Sequence, residues 1–260
     1  MNGDVRFERE GAVATMIFDH AARRNAMTVS MWEAIPTTIE RMQRDDTIRV
    51  VVMRGAGTEA FVSGADISEF EATRTGAAGR SYDRTTARAF AALQSFDKPL
   101  VALIHGFCIG GGAAIALTAD LRFAAADATF AVPPAKLGLG YHTAGIEALV
   151  RAVGAPNTAN LLFTGQRVDA TEARRVGLVN DVFAKSVLDA KVAEITRGIA
   201  DNAPLTLRSA KMTLQELTRP HHARDTERIE RSIVDCYESD DFKEGIRAFL
   251  EKRKPQFTGH

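Results

Sequence analysis

Residues 99–120 read P-L-V-A-L-I-H-G-F-C-I-G-G-G-A-A-I-A-L-T-A-D, and no other stretch limits the fold as tightly. The apolar run at 100–104 is short enough to be a buried strand. Gly106 and then Gly110, Gly111 and Gly112 break the run, and a small-residue helix is expected over 113–119. Adjacent glycines before a helix let the backbone adopt φ > 0 and let a ligand reach the main chain. The start of a helix adds N–H groups with no intrahelical partner and a partial positive charge. Together these features form a socket for negative charge.

Three familiar motifs do not fit this stretch. A Walker loop needs a Lys after the glycines, and none is there. A dinucleotide fingerprint starting at Gly110 needs Gly where Ile115 stands. A nucleophile elbow around Ser63 needs Gly where Phe61 stands. What remains is a main-chain amide aimed at a carbonyl oxygen that becomes an oxyanion; the alternative is a glycine turn that only packs tightly. Gly106 and Gly110 do have the G-x-x-x-G spacing of membrane helices. Pro99, His105 and the glycine triplet interrupt the segment, so a strand, turn and buried helix is expected, and no membrane span.

A chain of 260 residues can bury a sizeable core as one large domain, or one domain with a small appendage. Lys+Arg and Asp+Glu are both 33, so the net charge is zero. That argues against a nucleic-acid partner dependent on bulk positive charge, and is compatible with self-association. Cys108 and Cys236 lie far apart, with no C-x-x-C or H-x-x-x-H, so no metal site is expected. A reducing compartment is the simpler reading of two such cysteines. The first ten residues, M-N-G-D-V-R-F-E-R-E, hold no apolar h-region, so a cytoplasmic location is expected.

Strands are predicted over 5–10, 14–19, 48–54, 121–123 and 129–131. Ser30 and Glu33 have the spacing of a capping box opening a helix that ends near Asp46, with Pro36 kinking it or marking its true start. Residues 55–67 read as a loop rich in small residues, and 82–96 as a helix. Further helices are expected over 144–153, ended by Gly154, and over 157–163. Alternating strands and helices imply an α/β fold. The domain reading is a core over 1–185 and a helical region over 186–260, broken at Pro204 and Pro220.

Five blocks in order resemble the crotonase (enoyl-CoA hydratase/isomerase) superfamily. They are R-R-N-A-M-T at 23–28, F-V-S-G-A-D-I at 61–67, H-G-F-C-I-G-G-G at 105–112, F-T-G-Q-R-V-D-A-T-E-A at 163–173 with V-G-L-V-N at 176–180, and F-L-E-K-R-K-P at 249–255. The resemblance implies an α/β fold: a spiral of β-β-α units with a helical C-terminal trimerisation region. It implies an acyl-CoA thioester as partner, self-association as a homotrimer or a homohexamer, and a place in fatty acid metabolism. It also implies no cofactor beyond the coenzyme A carried by the substrate. By position in the blocks, the N–H groups of Ala65 and Gly111 would hold the enolate oxygen. Arg24, Ala26, Ser63, Asp66, Ile67 and Gly110 would line the coenzyme A channel, and Phe249 and Lys252 would reach the same ligand.

The pattern breaks where the chemistry is decided. Hydratases of this family add water with two glutamates, and paired carboxylates supply general acid and base. Here the two positions hold Ala114 and Pro134. Family isomerases keep the second glutamate, so their mechanism is also in doubt. Tyr141, in G-L-G-Y-H-T-A-G, matches a Tyr of family decarboxylases, which need an oxyanion hole but no water-adding pair. Those decarboxylases favour His where Ala65 stands. Enoyl-CoA hydratase/isomerase chemistry, decarboxylation or other enolate chemistry, and an inactive acyl-CoA-binding protein therefore all stay open.

Overall fold

Why the central strands are apolar at every position follows from where the sheet sits. In a computed structural model, described for residues 3–74 and 76–260, Val51 and Met53 face one hydrophobic core while Val50 and Val52 face another. Leu100, Ala102 and Ile104 divide from Val101 and Leu103 in the same way. Side chains alternate across a strand, so a sheet covered on both faces needs an unbroken apolar run.

The chain opens with β1 (Asp4–Glu10), β2 (Val13–Asp19) and α1 (Val29–Arg44). Then follow β3 (Val50–Gly55), β4 (Ala60–Val62), α2 (Phe70–Thr73) and α3 (Gly76–Ser95). The next unit is β5 (Leu100–Ile104), β6 (Phe107–Ile109) and α4 (Gly111–Ala116). A third holds β7 (Leu121–Ala125), β8 (Thr129–Ala131) and α5 (Thr143–Thr164). Then come β9 (Val168–Asp169), α6 (Ala170–Arg175), β10 (Asp181–Phe183), α7 (Leu188–Ala200), α8 (Pro204–Leu217), α9 (Thr226–Glu238) and α10 (Asp240–Leu250).

Three successive strand-strand-helix units build two sheets at once. The first strand of each unit enters a six-stranded sheet, β1-β2-β3-β5-β7-β10, and the second enters a four-stranded sheet, β4-β6-β8-β9. From β2 onward the larger sheet is parallel; β1 pairs antiparallel with β2. β4, β6 and β8 are parallel and β9 is antiparallel to β8. This is the α/β spiral that the sequence implied. The first C-terminal helix, α7, lays Leu188 and Val192 on the second face of the larger sheet, so the core extends past residue 185. Among the described residues, no helix is long and apolar enough to cross a membrane.

Several local expectations are corrected. The cap of α1 is Thr28, not Ser30: Thr28 is extended and its Oγ1 accepts from Met31 N at 3.3 Å. Pro36 lies inside α1 and neither starts nor ends it. Met31, Ile35, Ile39 and Met42 are buried on both sides of it, and that burial outweighs the roughly 3 kcal/mol that an interior proline costs. α3 begins six residues earlier than 82–96, and α4 starts at Gly111 rather than at 113. Two expected helices form one run in α5, with Gly154 at φ 75° marking the break between them.

Candidate active site

Two loops carry the amides that the sequence singled out. The first follows β4. Ser63 N donates to Arg24 O at 3.1 Å, Met27 N to Gly64 O at 2.8 Å, and Asp66 N to Met27 O at 2.9 Å. Met27 thus bridges Ala65 in parallel register and takes the bonds of its two neighbours. In that pattern the N–H of Ala65 itself points away from Met27, and it has no acceptor among the described residues.

The 24–27 segment owes its shape to Asn25, which the sequence reading left without a role. Asn25 is buried at φ 56°. Its Oδ1 accepts from His20 N at 3.0 Å, and its Nδ2 donates to Ala56 O and Ala60 O at 3.0 and 2.8 Å. Asn tolerates the left-handed region better than most residues, which is the signal that the R-R-N-A-M-T block carried. His20 Nδ1 lies 2.9 Å from Ala26 O and ties down the next residue.

The second loop follows β6. Gly110 N donates to Ala131 O at 2.8 Å, and at φ 55° Gly110 turns the chain into α4. A Cβ on Gly112 would collide with the Val62 carbonyl, so only glycine lets α4 approach β4 this closely. Gly111 is the first residue of α4, and its N–H has no acceptor among the described residues. Ala65 N lies 3.9 Å from where a Cβ on Gly111 would stand. Two free main-chain donors from separate loops are therefore neighbours.

Around them the groups are mostly aromatic. Trp32 Cζ2 lies 3.4 Å from the same Cβ position, and its ring packs 5.4 Å from that of Phe90. Tyr82 is buried on α3 beside Trp32. The Arg74 guanidinium stacks 3.7 Å from the Tyr82 ring centre. Ala114 and Pro134 are half-buried and supply no carboxylate. Pro134 opens a 3₁₀ turn. The Tyr141 hydroxyl is buried with no partner. Burial, and then the nearby Cys108, push its pKa up to about 12, so it stays a neutral donor. The Cys108 thiol is itself pushed up by burial and is no nucleophile at neutral pH.

The other sequence-predicted residues fall into two groups. Arg24 is half exposed, pairs with Glu59 at 2.7 Å, and lies 4.8 Å over the Phe107 ring. Ser63 Oγ donates to Arg23 O at 3.3 Å. Asp66 Oδ1 accepts from Ser68 Oγ at 2.6 Å and Ser68 N at 3.0 Å, which holds the turn and lowers the Asp66 pKa. Ile67 is exposed. These residues share the loops of the two amides. Phe249 lines a cavity of about 650 Å³ among α8, α9, α10 and Phe257, whose walls include no residue of either amide loop. Lys252 is exposed just past α10 at φ 54°. Among the described residues, no cluster of His, Cys, Asp and Glu could hold a metal ion.

Comparisons with known proteins agree with this fold. The sequence model described as Enoyl-CoA hydratase/isomerase matches residues 8–260. A short-chain-enoyl-CoA hydratase of Clostridium acetobutylicum is 32% identical over 251 residues, covering 96% of each chain. A methylmalonyl-CoA decarboxylase of Escherichia coli is 31% identical, covering 95% of each. Among solved structures, a putative enoyl-CoA hydratase/isomerase family protein from Hyphomonas neptunium has a TM-score of 0.94 at 33% identity, covering 98% of each chain.

Proposed function

The chain belongs to the enoyl-CoA hydratase/isomerase family, and from that premise we propose that it is an enzyme holding the enolate oxygen of an acyl-CoA thioester between the N–H groups of Ala65 and Gly111. The supporting observation is that these two unpaired amides are neighbours. Charge on that oxygen is new in the transition state, so fixed donors lower the barrier rather than merely tightening binding. Arg24, Ala26, Ser63, Asp66, Ile67, Gly110 and Pro134 line the thioester channel in this reading. Phe249 and Lys252 reach the ligand from the C-terminal helices of a neighbouring copy, within a homotrimer or a dimer of trimers. The apolar cavity around Phe249 is what such an assembly would cover. The enzyme is cytoplasmic and uses no cofactor other than the coenzyme A of its substrate.

Among reactions, decarboxylation is favoured by one specific observation. Ala114 and Pro134 offer neither acid nor base, while Tyr141 offers a buried, protonated, unpartnered hydroxyl. In this step the bond between the α carbon and a carboxylate breaks. Its electron pair passes into the enolate, CO2 leaves, and water later protonates the α carbon. Tyr141 donates a hydrogen bond to the departing carboxylate. The test is to offer purified protein crotonyl-CoA and malonyl-type CoA esters. Release of CO2 without loss of the crotonyl absorbance supports decarboxylation. Loss of the crotonyl absorbance defeats it, and binding with neither reaction makes the protein an acyl-CoA carrier.

A further inference from the structure

Arg74 is the charged side chain with a buried, unpartnered N–H among the described residues. It follows α2 directly, and its guanidinium carbon stands 3.7 Å from the ring centre of Tyr82 and 4.9 Å from that of Phe70. Its Nε is buried and has no hydrogen-bond partner. Its ion-pair neighbour is Asp83, whose Oδ1 is 3.8 Å from Nη1, too far for a hydrogen bond. The same Asp83 oxygen lies 3.3 Å from His142 Nε2, so Arg74 does not have it alone. Stacking occupies the guanidinium faces, and the N–H edge is left open. A buried N–H without an acceptor is costly, and for a charged group the cost is larger. A carboxylate removes that cost, because its two oxygens match the fork of an Arg edge.

The position of Arg74 says where such a carboxylate would sit. Gly111 touches Trp32, Trp32 lies beside Tyr82, and Tyr82 stacks on Arg74. The contacts thus run in order from the two amides through an indole and a phenol to the cation. Resting on the acyl-CoA reading above, we propose that Arg74 binds a carboxylate at the far end of the acyl group, so the preferred substrates are thioesters whose acyl chain ends in a carboxylate, in addition to any α-carboxylate that a decarboxylation would release. This group is distinct from any carboxylate on the α carbon, which would lie at the thioester end. A plain fatty tail would leave the Nε–H buried and unpaired, and sites built for a polar partner reject analogues that lack it.

The test is calorimetric titration of the full-length protein with glutaryl-CoA and pentanoyl-CoA, which have acyl chains of equal length. The wild type is expected to bind glutaryl-CoA about tenfold tighter or more, the worth of one charged hydrogen bond. Arg74→Gln should abolish that preference while pentanoyl-CoA affinity stays within about twofold, and Arg74→Lys should keep part of it. Equal affinities in the wild type, or a preference that survives Arg74→Gln, overturn the assignment. If neither thioester binds, the acyl-CoA reading itself fails, which is a different result from binding without preference. The wild-type comparison needs no variant, so a misfolded Arg74→Gln would not protect the proposal.

Discussion

Two sets of buried polar side chains make a contrast: two lysines that are paired, and three groups that are not, although Asp97 Oδ1, His105 Nδ1 and Thr158 Oγ1 are also unpartnered among the described residues. At the start of the central strands β5 and β7, Lys98 donates to Met42 O and Asp45 O at 2.9 and 2.7 Å. Lys211 donates to Lys98 O at 2.8 Å and to Asp120 Oδ2 at 2.9 Å, and Asp120 also accepts from Leu100 N at 2.7 Å. Trp32 Nε1 beside Gly111, Arg74 Nε behind Tyr82 and the Tyr141 hydroxyl near Cys108 are instead buried without partners among the described residues. Folding alone selects against such orphans. The first group reads as scaffold, and the second as groups waiting for a ligand.

That contrast is open to attack by substitution, and the largest effect is expected at Gly111. Gly111→Pro deletes the proposed donor, yet proline is tolerated at the first position of a helix. Turnover is expected to fall by 2.7–4 kcal/mol of transition-state stabilisation, about a hundredfold or more, with little loss of melting temperature. Unchanged turnover in steady-state kinetics removes the amide pair from the mechanism. Lys211→Ala attacks the scaffold instead. It should cost about 2 kcal/mol in urea unfolding, at the low end for a buried pair because Asp120 is partly exposed. Turnover per folded molecule should be unchanged, and a turnover loss without a stability loss would reverse the two roles.

Tyr141→Phe sharpens the comparison in the opposite sense. Removing an unpaired buried hydroxyl should leave stability unchanged or raise it by about 1 kcal/mol, while CO2 release from a malonyl-type ester falls. A stability loss in the melting curve would mean that the hydroxyl is already satisfied in the folded chain. The smallest effect is with pH. Tyr141 is raised to about 12, so its proton is retained and turnover should show no alkaline limb from this group up to about pH 10. The sign for stability follows from the same shift. The fold disfavours the phenolate, so this contribution is whole below the unfolded value of about 10 and is lost as pH rises toward 12.

The sequence stated the fold where its signals were local. Apolar runs at 100–104 and 48–54 announced the central strands, and the glycine triplet announced the turn into α4. It was silent where signals were short or non-local. β4 and β6 have three residues each, too few for alternation to register beside glycine-rich turns, so they passed for loop, while β8 of the same sheet was expected at 129–131. The start of α3 is G-A-A-G-R-S, where two glycines lower the propensity and no apolar stripe marks a buried face. Ala65 and Gly111 were named by resemblance, and their closeness needed coordinates. Arg74, Tyr82 and Trp32 meet only because α1, α2 and α3 fold over one another. No spacing in the chain brings positions 32, 74 and 82 together.

One consequence follows from how Met27 grips both neighbours of Ala65. An electrophile made of main chain is indifferent to most replacements at its own position; proline alone takes the hydrogen away. A lineage built on such a framework can lose a pair of acidic side chains and still polarise a carbonyl. In the proposed function, Ala114 and Pro134 leave that pair of polarising amides untouched.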